Sequence, residues 1–239
     1  MRIKSNIVLF LGAGLLACSS VKTITASNDE KVAITDEYEK VNRIDSLISP
    51  YRIELNSEMK EVIAHTETSL ERGKPNGVLN NWSTDVIIDA SRKFIPENKP
   101  SFCLLNWGGL RNPISAGDVL LEDIYKLMPF DNEIVIVEMP VSSLKKIAEY
   151  LFGRSGEPIG GAILKNAKFE IQGFELIDFE TVFIVTSDYL MNGGDDMVFF
   201  EEKISEIHTG ILMRDAMIEA AKQQKELIWN DEKRIILAQ

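Results

Sequence analysis

Three short loops carry the residue types that could hold a polar ligand with an aromatic part. The first runs from Asn106 through Trp107, Gly108, Gly109 and Leu110 to Arg111, directly after an apolar string ending at Leu105. Paired glycines let backbone approach a ligand closely and can turn consecutive N–H groups toward an anion. Asn106 supplies a donor and an acceptor, and Arg111 a planar fork that matches a phosphate. The second loop is Pro129, Phe130, Asp131 and Asn132. The third runs from Tyr189 to Asp195 across Asn192, Gly193 and Gly194, a turn that calls for positive φ. Taken singly, each loop has a plainer reading: a tight turn with a surface arginine, a packing contact, and a hairpin turn.

The elements around these loops alternate between helical and strand patterns. Ser49 and Pro50 read as a helix start, after which Tyr51, Leu55, Met59 and Val62 form one apolar stripe. A second helix is expected over Leu79–Lys93, with Trp82, Val86, Ile87 and Ala90 on one side. Phe102–Leu105 reads as a buried strand, Leu121–Met128 as a short helix, Glu133–Met139 as a strand and Ser142–Phe152 as a helix. Strands over Lys168–Ile171 and Thr181–Ser187, a helix over Ile211–Lys225 and a short strand at Ile235–Leu237 complete the pattern. Each loop lies beside a predicted strand, where α/β folds usually present ligand contacts. The pattern predicts a layered α/β (α+β) domain.

The three loops, in this order and at these spacings, resemble those of the 5′-nucleotidase C-terminal domain. The resemblance runs from about Ser49 to the C-terminus and includes Ser115–Val119, Thr209–Asp215 and the Leu79–Ala90 segment. It implies mixed sheets flanked by helices and a nucleoside or nucleoside monophosphate as ligand. Phe130 and Tyr189 match the two rings that sandwich the base; Asp195 matches the aspartate that grips the ribose hydroxyls. Asn106 and Arg111 fall near ribose and phosphate, Asn132 at the base edge, and Arg72 where an upstream arginine meets the phosphate. The chain departs from the family pattern at Trp107, Asp131 and Asp196, each of which stands in place of a glycine, and at Asn76-Gly77, where Glu-Ser is usual.

The same resemblance frames what these residues cannot do. Full-length members hydrolyse phosphate with two metal ions on a separate N-terminal domain, a chemistry that needs several histidines and aspartates. This chain has two histidines, His65 and His208, far apart and in neither expected setting. No residue is therefore assigned a catalytic or metal-binding role, no cofactor is expected in this chain, and divalent metals are expected only in a partner. Two functions remain open: the nucleotide-binding subunit of a split exported 5′-nucleotidase, working with a separate metallophosphoesterase, or a stand-alone surface protein that binds nucleosides without catalysis.

Residues 1–17 read as a signal peptide: Arg2 and Lys4 precede an apolar run from Ile7 to Ala17, ending in Leu15, Leu16, Ala17 and Cys18 as a bacterial lipobox does. Lipidation at Cys18 would anchor the chain to the cell envelope, in the periplasm or at the outer membrane. A signal peptide that merely contains a cysteine is the simpler alternative. Residues 18–36 are polar and read as a tether, leaving 37–239 as the ligand-binding domain. The formal net charge of −11 argues against nucleic acid as a partner. Cys103, the second cysteine, sits among apolar neighbours and reads as a core residue.

Overall fold

The computed structural model describes residues 42–171 and 173–236, so Cys18, the expected tether and Leu237 lie outside the described residues. Ten strands and six helices follow one another: α1 (Asn42–Met59), β1 (Val62–Thr66), α2 (Val78–Ser91), β2 (Ser101–Leu104), β3 (Gly117–Leu120), α3 (Leu121–Leu127), β4 (Glu133–Pro140), α4 (Leu144–Gly153), β5 (Ile159–Gly160), β6 (Ala162–Lys165), β7 (Lys168–Ile171), β8 (Thr181–Ser187), α5 (Asp188–Met191), β9 (Ser205–Leu212), α6 (Met213–Gln224) and β10 (Ile235–Ile236). From Ile48 onward the chain forms one compact unit.

A five-stranded sheet in the order β5-β2-β8-β4-β9 lies at its centre. Successive residues of its inner strands are apolar, so both faces can be covered. Cys103, Ile134, Ile136, Phe183 and Val185 meet α2 and α6 through Trp82, Ile87, Met213 and Met217. Phe102, Val135, Val137, Val182 and Ile184 face the other way and pack on α4 and the small sheet β10-β6-β7. A two-stranded pair of β1 and β3 completes the fold. The α/β layering predicted from the sequence is therefore present.

The sheet topology converges the loops. β2 and β8 are parallel neighbours, pairing Cys103 with Val185, so the chain leaves both strands at the same end. β4 runs antiparallel to β8 with Ile134 opposite Ser187, so the chain enters β4 at that end too. The first and third loops follow β2 and β8, and the second precedes β4.

Several expected boundaries change. α1 already runs from Asn42, with Pro50 inside it rather than at its start. Its apolar stripe is open: Tyr51 and Leu55 are exposed, and Val62 belongs to β1. Periodicity reports which residues share a face, not whether anything covers it. The expected helix at Ile211 starts at Met213, because Ile211 and Leu212 still belong to β9. That edge strand has no fully buried residue, and it carries Gly210 at φ 71°, so its alternation of half-buried and exposed residues is a weak signal. No hairpin follows β8; the chain turns instead into the single helical turn α5, capped by Ser187, whose hydroxyl accepts from the Leu190 N–H at 3.2 Å. Cys103 is fully buried, and burial raises its thiol well above the ordinary range.

Candidate functional site

A cavity of about 390 Å³ opens where the three loops meet. Asn106, Arg111, Phe130, Asn132, Tyr189 and Asp195 line it, over an apolar floor that includes Leu105, Met128 and Leu190. Both rings keep free surface, Phe130 with 41% and Tyr189 with 49% of its area exposed. Arg111 lies with its guanidinium carbon 5.6 Å from the Phe130 ring centre and donates to the Gly108 carbonyl at 3.1 Å.

Asp195 sits at the centre of the polar wall. Its Oδ2 accepts from Asn106 Nδ2 at 2.6 Å, and its Oδ1 from the Tyr189 hydroxyl at 3.0 Å. Its backbone is left-handed at φ 52°, Asp196 follows at φ 63°, and Gly193 precedes them at φ 87°. The positive φ expected of the Asn192–Gly194 turn thus falls on Gly193 and on both aspartates. Gly194 is needed for a different reason: a Cβ there would stand 2.5 Å from the Tyr189 ring.

Asn132 is tied back by Asp188, whose Oδ1 accepts from Asn132 Nδ2 at 3.0 Å and from the Glu133 and Tyr189 N–H groups at 3.2 and 2.8 Å. One carboxylate so joins the second loop to the third. Asp188 was not among the sequence candidates, although an aspartate directly after Ser187 at a helix start was a readable capping signal.

Two expectations for the first loop need correction. Its N–H groups do not form an anion cradle: that of Trp107 donates to Glu157 Oε2, that of Gly109 to the Asn106 carbonyl at 3.1 Å and that of Arg111 to the Leu127 carbonyl at 2.8 Å. The loop is a tight 3-10 turn over Trp107–Gly109, and alternate amides along it are taken by acceptors of the fold. Arg72 does not line the cavity. Its guanidinium stacks 3.7 Å from the Trp107 ring centre and donates to the Leu110 carbonyl at 2.7 Å, which braces the loop from behind. An indole where a glycine was expected supplies the surface that holds this arginine.

Each histidine pairs with a carboxylate on the neighbouring strand. His65 Nδ1 lies 3.2 Å from Asp118, and His208 Nδ1 lies 2.8 Å from Glu133, with the two histidines on strands of different sheets. Among the described residues, no three His, Cys, Asp or Glu side chains are grouped to hold a metal ion. The donor set of a two-metal hydrolase is therefore not assembled from these residues.

The model of the 5′-nucleotidase C-terminal domain matches residues 62–202, a span that contains all three loops. The chain belongs to the 5′-nucleotidase C-terminal domain family. Among curated relatives, Protein UshA of Escherichia coli is 26% identical over 211 residues, covering 82% of this chain and 37% of UshA. The 5′-nucleotidase of Rattus norvegicus is 25% identical over 162 residues, 55% of this chain and 28% of its own. The chain thus spans well under half the length of these relatives. The crystal structure of a 5′-nucleotidase precursor from Thermus thermophilus superposes with a TM-score of 0.62 at 17% identity, over 81% of this chain and 43% of that one, which shows the shared fold. In this member of the family, six of the seven residues expected at the ligand meet in one cavity, and Arg72 stands behind it. Among the described residues, no helix is long and apolar enough to cross a membrane.

Proposed function

We propose that the cavity binds a nucleoside or nucleoside monophosphate, and that the chain is the substrate-recognition part of an exported 5′-nucleotidase-type hydrolase. The base enters between Phe130 and Tyr189, the Asp195 carboxylate accepts from the ribose hydroxyls, and Arg111 faces the phosphate. A separate metallophosphoesterase supplies the divalent metals and the hydrolytic step. Lipidation at Cys18 holds the chain at the cell envelope.

One observation carries this reading: two half-exposed rings, from loops 59 positions apart, line one cavity whose polar wall is a carboxylate held by an asparagine and a phenol. Stacking of a base on an aromatic contributes about 1–3 kcal/mol and tolerates different bases. A carboxylate with both oxygens aimed by neighbours suits a vicinal diol, whose two O–H groups it can accept together. Holding base and ribose fixes the phosphate for a partner's metals, and positioning of this kind can lower a barrier by several kcal/mol.

Calorimetric titration of AMP and adenosine into the protein, beside its Tyr189→Ala variant, tests the reading. Saturable binding by the unaltered chain and a loss of about tenfold or more in the variant are expected. No binding by the unaltered chain sinks the proposal. Binding without any stimulation of a co-expressed metallophosphoesterase would remove the hydrolytic role and leave a capture protein.

A further inference from the structure

Asp195 and Asp196 both take left-handed φ, a region that aspartate visits more readily than most non-glycine residues but seldom twice in succession. Contacts from outside the loop add to the local Tyr189 bonds in holding them.

The carbonyl of Asp195 accepts two hydrogen bonds, from the Tyr150 hydroxyl at 2.7 Å and from Arg154 Nη2 at 2.5 Å. The same Arg154 nitrogen lies 3.0 Å from Asp196 Oδ2, so one guanidinium spans both strained residues. Both donors come from α4 and the residue that ends it, on the sheet face opposite α2 and α6. Tyr150 is fixed in turn by an edge-on contact with Phe199 at 5.4 Å. Burial pushes its hydroxyl up to about 12, so it remains a donor through the physiological range.

The C-terminal end of α4 also reaches the first loop. The Arg154 carbonyl accepts from Lys74 Nζ at 2.7 Å, Lys74 pairs with the buried Glu157 at 3.1 Å, and Glu157 accepts the Trp107 N–H. The aspartate of the polar wall and the Trp107 backbone of the first loop are therefore both tied to a single helix end.

We propose that Tyr150 and Arg154 are positioning residues for ribose recognition: by clamping the Asp195 carbonyl they hold its carboxylate in the direction that accepts a vicinal diol. This rests on the reading of the cavity as a nucleoside site. Neither residue lines that cavity, so each acts through the Asp195–Asp196 segment. Phe130 has no bond to Asp195, and Tyr189 meets it only through its hydroxyl, so loss of the clamp is expected to disturb the diol contact more than the stacking, and this separates the role from a general structural one.

The test compares adenosine with 2′,3′-dideoxyadenosine, which keeps the base but lacks the diol. Dissociation constants are measured by calorimetry for the protein and for its Tyr150→Phe, Arg154→Met and Arg154→Lys variants. Tyr150→Phe keeps the ring against Phe199, so its fold is expected to survive; thermal unfolding checks this. Tyr150→Phe and Arg154→Met are expected to weaken adenosine by about five- to twentyfold and to leave dideoxyadenosine within about twofold, while Arg154→Lys retains most of the affinity. Equal losses for both ligands, or unchanged adenosine binding in both variants, overturn the clamp and leave the cavity assignment standing. Failure of the unaltered chain to bind either ligand overturns the cavity assignment itself, and the clamp with it.

Discussion

At the cavity rim, Arg111 makes a hydrogen bond to the Gly108 carbonyl and otherwise faces the space between the loops. At the C-terminal segment, Arg234 is 6% exposed and is engaged on every side. It forks onto Asp85 through two bonds of 2.8 Å, reaches Glu232 at 3.0 Å, and meets the Thr84 hydroxyl and the Ile159 carbonyl at 3.2 Å each. The two side chains have the same chemistry and opposite roles. A guanidinium whose donors are satisfied inside the fold closes a structure, here clasping the last described residues to α2. One whose donors remain directed at a cavity keeps them for a ligand. The aromatic residues follow the same division, since Trp82 and Phe102 are buried while Phe130 and Tyr189 keep open faces.

Breaking the clasp should have the largest effect on stability. Arg234→Met removes one partner of a shielded ion pair, and with Asp85 itself 36% exposed the expected cost is about 3 kcal/mol, at the low end for such pairs. Urea unfolding measures it. Adenosine affinity of the folded protein should stay within about twofold, and a larger change would mean that clasp and rim are coupled.

A smaller change in stability with a larger change in binding is expected at the rim. Gly194→Ala puts a methyl where the Tyr189 ring and carbonyl stand, so the ring must move. The expected result is about 1–2 kcal/mol of stability lost and adenosine weakened about tenfold. If binding is unchanged, the Tyr189 face does not hold the base.

The smallest effect belongs to neither region. On the edge strand, the bond from Glu133 raises the His208 imidazole above its ordinary 6.5, and the bond from His208 lowers the Glu133 carboxyl below its ordinary 4.5. The imidazole's contribution is complete below pH 6.5 and is lost as pH rises through its raised value; the carboxylate's is present above pH 4.5 and is lost as pH falls through its lowered value. The pair therefore stabilises most between these limits. Melting temperatures of the protein and of His208→Gln, compared between about pH 6 and pH 9, should show a small decline in the first that is absent from the second. A decline of equal size in both would show that His208 is not its source.

The three inner strands of the central sheet, β2, β8 and β4, were legible because Phe102, Val135 and Ile184 sit in continuous apolar runs that suit a doubly covered sheet. β9 was not, because its alternating stretch has only Ile207 and Ile211 as large apolar residues, no residue fully buried, and Gly210 in place of a strand-forming residue. The start of α1 was misplaced because Pro50 is favourable in a first turn and gives no sign of helix before it. Within the site, the residues that face the cavity were readable from loop motifs and the resemblance they carry. Those that brace it were not: Tyr150, Arg154, Glu157 and Asp188 sit at or near helix ends, where their types have ordinary solvated explanations.

Residue types and local spacing by themselves determined which loops hold rings, amides and a carboxylate. Such properties are local, set by side-chain chemistry and short-range backbone preference. Tertiary structure alone decided that the parallel pairing of β2 with β8 brings two of these loops together, that Arg72 turns away from the cavity to stack on Trp107, and that a helix on the far face of the sheet holds the Asp195 carbonyl. Each of these depends on which distant strands pair and which buried donors must find acceptors, and no window of sequence carries that information.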